Sequence, residues 1–293
     1  MNPIHRTMSV RVLLIALFAT AAGAQEGDGT RITVEPLAGS VYILRSVGHD
    51  PGNILVSAGD DGVVMVDDRD ASAADGILAA LHGISDKPLR FVINTHVHGD
   101  HTGGNPAFRK LAPVIAHRNV RARMISGAEK MPPEAWPTVT FDGEMNLYLN
   151  GEDIRLLKLP PGHTDGDVVV FFTKANVVHM GDVFISPAAS FGDRSNGGSF
   201  LALIDALKFV LPQIPADAKV VPSHGTISSR ADVARGLDVL MEMKAIVEAG
   251  IAAGKTREQM IAEKPFDKWK GSIAWFISPD GYVSSIYKEL TAK

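Results

Sequence analysis

The stretch Asn94-Thr95-His96-Val97-His98-Gly99-Asp100-His101-Thr102-Gly103-Gly104-Asn105 decides the reading of this chain. It follows Arg90-Phe91-Val92-Ile93, a short apolar run after Pro88 that predicts a buried strand, so the histidines stand where strand gives way to loop. In extended backbone, residues two apart point to the same side, and His96 and His98 can therefore aim at one point. Gly99 permits a sharp turn, after which Asp100 and His101 can face a second point close by. The spacing thus suggests two metal ions. With 10 His in 293 residues, His-x-His-x-Asp-His arises by chance in on the order of one in a thousand chains of this composition. A lone loop histidine is usually solvated or hydrogen-bonded. Three beside a carboxylate are explained more simply by a shared cation of the borderline kind that imidazole and carboxylate bind.

Upstream, residues 32–37, 41–45, 53–57 and 62–68 read as four strands joined by glycine-containing turns, a meander. Residues 72–84 then carry Ala74, Ile77, Leu78 and Leu81 at helical spacing, with Asp70 or Ser72 as cap. Downstream, the pattern predicts a helix around 106–111, a strand at 113–117 and a helix at 119–126. The proline-rich residues 127–137 read as a surface crossing between halves. The meander then restarts with strands at 139–141, 145–149 and 154–159, followed by continuous apolar runs at 168–172 and 177–179. A Gly/Ser/Asp-rich loop fills 186–199, an amphipathic helix 200–211, and a last short strand 219–222. A long helical pattern covers 230–253, with Gly254 as its stop and Thr256 as the cap of a shorter helix. Two halves repeating one grammar place the chain in the α/β (α+β) class. The arrangement expected is two mixed sheets packed face to face with helices outside, a four-layer αββα sandwich.

Hydrophobic content of 45% with 21% charged residues suits a globular enzyme, and no internal linker interrupts residues 25–293, which read as one domain. Residues 1–24 differ. Arg6 and Arg11 precede an apolar run from Val12 to Ala19, and Ala22-Gly23-Ala24 has the small-x-small form of a secretory cleavage site. The expectation is a signal peptide, and a periplasmic or secreted protein without stable membrane association once it is removed. Its loss takes two Arg and no acid, so the formal charge moves from −4 to −6. The absence of Cys excludes disulfides and every thiolate zinc site. Mild acidity without a Lys/Arg cluster argues against nucleic acid and leaves a small-molecule substrate.

Three further segments put a ligand type just after an apolar strand: Pro161-Gly162-His163-Thr164, Met180-Gly181-Asp182 and Pro222-Ser223-His224-Gly225. Glycine beside each candidate lets backbone approach an ion. The series His96-x-His98-x-Asp100-His101, His163, Asp182, His224, with Gly103-Gly104 after the first motif, resembles the metallo-β-lactamase superfamily over roughly residues 32–253. The resemblance implies that His96, His98 and His163 hold one Zn2+, that Asp100, His101 and His224 hold a second, and that Asp182 bridges them. It further implies a metal-bound hydroxide attacking an amide or ester carbonyl, with Asp100 and His101 beside the reacting atoms. Asp67 and His117 are candidates to orient the ligands. Loops 46–53 and 186–199 are expected to flank the pocket, with Phe191 and Arg194 as candidate substrate contacts. His5 lies in the leader, and His49, His82 and His179 are assigned ordinary structural roles.

The branch within the superfamily is read from details. Lactamase branches with a cysteine ligand are excluded. His101 matches the lactamase branch that carries His after the motif Asp, whereas Asp182 departs from it and matches glyoxalase II-like thioesterases, as does the Pro-Gly-His-Thr turn. Nuclease branches need a basic arm, and the flavo-diiron branch a carboxylate at position 98. β-Lactam and lactone rings lead, because ring strain helps and an exported enzyme meets antibiotics. The alternatives are a thioesterase, a metal-dependent oxidation such as persulfide dioxygenation on one iron, and a non-catalytic periplasmic binding protein.

Overall fold

The computed structural model describes residues 31–47 and 52–292; the expected signal peptide and residues 48–51 of the rim loop at 46–53, His49 among them, lie outside the described residues. The chain opens with β1 (Arg31–Ala38), β2 (Val41–Val47), β3 (Asn53–Gly59) and β4 (Gly62–Val66), paired antiparallel in that order. Asp70 caps the short turn that leads into α1 (Ala74–Ile84), and β5 (Leu89–Ile93) then joins parallel to β4. Two single-turn helices, α2 (Gly99–Thr102) and α3 (Asn105–Phe108), lead to β6 (Val114–His117), and α4 (Arg118–Ser126) leads to β7 (Val139–Phe141); both strands add in parallel. These seven strands form one sheet in sequence order.

The second sheet holds β8 (Glu144–Leu149), β9 (Glu152–Lys158), β10 (Val168–Phe172) and β11 (Val177–His179) as antiparallel neighbours. The two-residue β12 (Ala188–Ala189) and α5 (Phe200–Val210) follow, and β13 (Lys219–Val221) pairs parallel with β11. After α6 (Arg230–Ala252) and α7 (Arg257–Glu263), β14 (Ala274–Trp275) pairs with β12, and α8 (Pro279–Thr291) closes the described chain. Reciprocal capping boxes start α6 at Ser229 and Asp232 and α7 at Thr256 and Gln259. No helix among the described residues is long and apolar enough to cross a membrane.

Strand alternation builds the layers. Val64 and Val66 of β4 and Ile93 of β5 face Val168, Val170 and Phe172 of β10 between the sheets. Their neighbours Val63, Met65 and Val92 turn outward onto Ile77 and Leu81 of α1. On the far side, Val169 and Phe171 pack under Leu203 and Leu207 of α5, Leu240 of α6 and Ile286 of α8. This is the four-layer αββα sandwich.

Three sequence expectations change. β7 belongs to the first sheet, paired to β6 with Ile115 opposite Val139, so the crossing between sheets falls at Asp142 and Gly143 rather than in 127–137. That proline-rich stretch is no bare surface link: Ala135 is fully buried, its carbonyl accepts Asn105 Nδ2 at 2.9 Å, and Trp136 packs against the cluster of Val97, Ala116 and Val120. The helix expected around 106–111 ends at Phe108, ahead of Pro113, whose ring disfavours helical backbone at Ala112.

Candidate metal centre

The C-terminal ends of β4, β5, β9, β11 and β13 meet at one edge of the sandwich, and each donor sits just past one of them. Asp67, directly after β4, adopts left-handed backbone with φ of 62°. Its carboxylate accepts Thr95 N at 2.8 Å on Oδ1, and Thr95 Oγ1 at 2.8 Å and His101 Nδ1 at 2.9 Å on Oδ2. Asn94 Nδ2 donates to the His101 carbonyl at 3.2 Å, and Asn105 Nδ2 donates to Asn94 Oδ1 at 3.0 Å. The motif is therefore folded back on itself by two side-chain amides. Gly104 is demanded by close approach, because a Cβ there would lie 2.5 Å from the Asp68 carbonyl.

Two donor groups result. In the first, His98 Nδ1 stands 3.2 Å from His96 Nε2 and 3.0 Å from His163 Nε2. In the second, Asp100 Oδ2 stands 3.1 Å from His101 Nε2 and 3.0 Å from His224 Nε2. Asp182 lies between them: its Oδ2 is 3.9 Å from His96 Nε2, 3.8 Å from His163 Nε2 and 3.6 Å from His224 Nε2, and its Oδ1 is 3.6 Å from His101 Nε2. All seven residues named from the sequence are thus together.

The hydrogen bonds fix the tautomers. A carboxylate or carbonyl only accepts, so His98 Nε2 donates to Asp193 Oδ2 at 2.8 Å, His163 Nδ1 to the Phe191 carbonyl at 2.8 Å and His101 Nδ1 to Asp67. Thr95 has given its hydroxyl hydrogen to Asp67, so its oxygen accepts from His96 Nδ1 at 3.0 Å. Burial, reinforced by the neighbouring His101, holds His96 well below the usual imidazole range, and burial lowers His163 as well. Both rings are neutral, and the Nε2 of each faces His98 Nδ1. Asp100 behaves oppositely: burial would raise it, but the charge of His101 and the hydrogen bond from His224 hold it below the usual carboxylate range.

These donors fit a metal. Ring nitrogens 3.0 and 3.2 Å apart suit a tetrahedral ion, whose Zn–N of about 2.0–2.1 Å sets its ligand nitrogens about 3.3 Å apart. His101 Nε2 and Asp182 Oδ1 are buried and make no hydrogen bond, so both stand open to an ion. His96, His98, His163 and Asp182 form one group whose donor atoms lie within 4.8 Å of one another, and Asp100, His101 and His224 form another.

Other expectations fare differently. His117 caps α4, accepting from Asn119 N at 3.2 Å, and its Nε2 is 3.7 Å from Asp142; these contacts lie at the end of β6 and not among the donors. Arg194 pairs with Glu289 of α8 at 3.7 Å instead of facing the cluster. Phe191 sets its ring edge-on to His163, 4.9 Å between centroids. His82 is exposed on α1, and His179 is buried in β11 and accepts from Gly181 N at 3.2 Å. The sequence reading missed Asp193, an acidic residue in a loop of similar polar residues with no local mark to separate it from a turn former.

Comparison with known proteins agrees with this geometry. The family model described as the metallo-beta-lactamase superfamily matches residues 34–224. A hydroxyacylglutathione hydrolase of Anaeromyxobacter dehalogenans (strain 2CP-C) is 29% identical over 220 residues, 73% of this chain and 78% of the relative. The alpha subunit of a 2,4-dinitroanisole O-demethylase from Nocardioides sp. (strain JS1661) is 29% identical over 163 residues, 53% of this chain and 48% of the relative. A metallo-beta-lactamase from Pontibacter korlensis shares the fold, with a TM-score of 0.64 at 22% identity, over 72% of this chain and 99% of that one. With its fold, its donor set and a family match over most of its length all in agreement, the chain is a metallohydrolase of the metallo-beta-lactamase superfamily.

Proposed function

We propose that the chain is a dinuclear zinc hydrolase that cleaves an acyl carbonyl compound, with a thioester or lactone as the leading substrate. The observation that carries this reading is the Asp182 carboxylate, placed between two donor groups with one oxygen toward His96 and His163 and the other toward His101. Two zinc ions held here would polarise the carbonyl and bring the pKa of water to about 7. The chain's own residues do the rest. Asp100, with 31% of its side chain exposed, is the most open of the seven donors, and its carboxylate can take a proton and return it to the leaving sulfur or oxygen. Asp67 takes the Nδ1 hydrogen of His101 directly and that of His96 through Thr95, so Nε2 is the ring atom that each presents to an ion.

The Asp182 carboxylate between the two donor groups and the relative named as a hydroxyacylglutathione hydrolase support a thioester. His101 in the second group supports a β-lactam amide as the second reading, since it matches a lactamase branch by resemblance. The amino-terminal 24 residues are proposed as a cleaved signal for export, which N-terminal sequencing of the mature protein checks. The deciding experiment assays the zinc-loaded protein against a thioester, a lactone and a chromogenic cephalosporin, beside metal analysis. Two zinc equivalents with thioester or lactone turnover are expected. A single iron, or no turnover of any of the three, overturns the reading, and turnover of the cephalosporin alone replaces it with the second.

A further inference from the structure

Two of the three imidazoles in the first donor group are held by one loop. The Phe191 carbonyl takes the hydrogen of His163 Nδ1, and two residues on, Asp193 Oδ2 takes that of His98 Nε2, both at 2.8 Å. His98 follows the first sheet and His163 the second, so this short segment ties the two halves of the group together. The loop itself is tightly fixed. Asp193 N donates to the His163 carbonyl at 2.8 Å, Gly198 N to the Asp193 carbonyl at 2.7 Å and Ser199 N to the Gly162 carbonyl at 3.0 Å. A Cβ at Gly198 would stand 2.0 Å from the His163 carbonyl, which leaves no space for a larger residue. The Asp193 carboxylate is steadied in turn by Ser195 N at 2.9 Å and Asn196 Nδ2 at 2.7 Å. At the start of the loop, the Ser190 hydroxyl donates to the Asp182 carbonyl.

Both ends of the loop are anchored on α8, which lies beyond the residues matched by the family model. Tyr282 Oη donates to the Ala189 carbonyl at 2.5 Å. The buried Glu289 carboxylate accepts Phe200 N and Leu201 N, each at 3.0 Å, at the first turn of α5. The contrast with the other rings is plain, because His96 and His101 are oriented from the opposite side by Asp67.

We propose that Asp193 is the positioning residue of the first metal group, and that α8, through Tyr282 and Glu289, holds the loop that lets Asp193 and the Phe191 carbonyl set the rings of His98 and His163. This rests on the dinuclear reading and adds to it a carboxylate and an outer helix that determine metal affinity. A partner of this kind fixes the tautomer and raises the basicity of its ligand, and losing it costs about 10- to 100-fold in metal affinity.

The test titrates the full chain with Zn2+ against a competing chelator and records the optical spectrum after Co2+ loading. Asp193→Ala is expected to weaken one of two equivalents by about 10- to 100-fold, to change the spectrum of that equivalent, and to leave the other in place. Asp193→Asn, whose amide oxygen can still accept the Nε2 hydrogen, is expected to restore most of the loss. Glu289→Ala should shift the same equivalent by less. Asp193→Ser keeps a capping hydroxyl for the turn but loses the reach to His98, so it serves where the alanine variant does not fold. Wild-type affinity and spectrum for both equivalents in a folded Ala or Ser variant overturn the assignment of Asp193 alone. A wild-type protein that takes up no second equivalent overturns the dinuclear reading itself, before any variant is compared.

Discussion

The two donor groups differ in how they carry charge. The first gathers three imidazoles oriented by fixed acceptors, two of them, His96 and His163, kept neutral by burial, with Asp182 as its one carboxylate. The second pairs two imidazoles with the Asp100 carboxylate. Burial would lower His101 and His224, but Asp100 and Asp182 outweigh it and raise both, so a proton can stand in there for a metal. Similar ring counts thus give different sites. Burial favours neutral rings at His96 and His163 in the first group, whereas carboxylates favour protonated rings in the second.

The hardest blow to that contrast is His163→Ala, which removes a ligand from the first group. It should lower kcat/KM by at least about a thousandfold, or about 4 kcal/mol of transition-state stabilisation, and cut bound zinc below two equivalents. Turnover that survived intact would mean that the first group is not the catalytic one. Asp100→Asn acts on the other side. It should lower kcat by about a hundredfold or more if Asp100 handles the proton, and it should loosen the second equivalent while the first stays bound.

Proton release sharpens the comparison further. His101 and His224 must lose protons to bind a metal, while His96 and His163 already lack them, so the affinity of the second equivalent should rise more steeply with pH than that of the first. Calorimetry in buffers of different ionisation enthalpy measures the protons released with each equivalent. In the metal-free protein the two groups also oppose one another. The lowered His96 and His163 cost stability as pH falls below about 6.5, whereas the raised His101 and His224 contribute stability below that value and lose it as pH climbs through their folded pKa. Thermal melting of the chelated protein between pH 5 and pH 9 checks both slopes.

The smallest effect lies outside both groups. Burial, with the Lys158 charge, lowers His117 to about 4, so its contribution to stability shrinks as pH falls from about 6.5 toward 4. His117→Asn, which can still cap α4, should flatten the denaturation profile in that window by roughly 1 kcal/mol and leave zinc binding unchanged. A change in zinc binding would place His117 nearer the donors than its bond to Asn119 does.

The motif at 94–105, the three isolated donors and the alternation of sheets and helices were legible in the sequence because each is a local pattern: spacing of two along a strand, a polar residue after an apolar run, helical periodicity. All seven donors named from the chain stand within the two groups for that reason. The crossing between sheets was not legible, since β7 is three residues long and its partner is chosen by the edge of β6, not by its own composition. Asp193 was not legible either, because nothing distinguishes it from Asp165 or Asp167 until the fold brings His98, 95 positions earlier, within 2.8 Å. Nor was the part of α8, whose Glu289 reaches back to the start of α5. Periodicity and residue type alone fix what each segment can be and which atoms can bind. Which second partner holds each ring is a long-range contact, and only tertiary packing decides it.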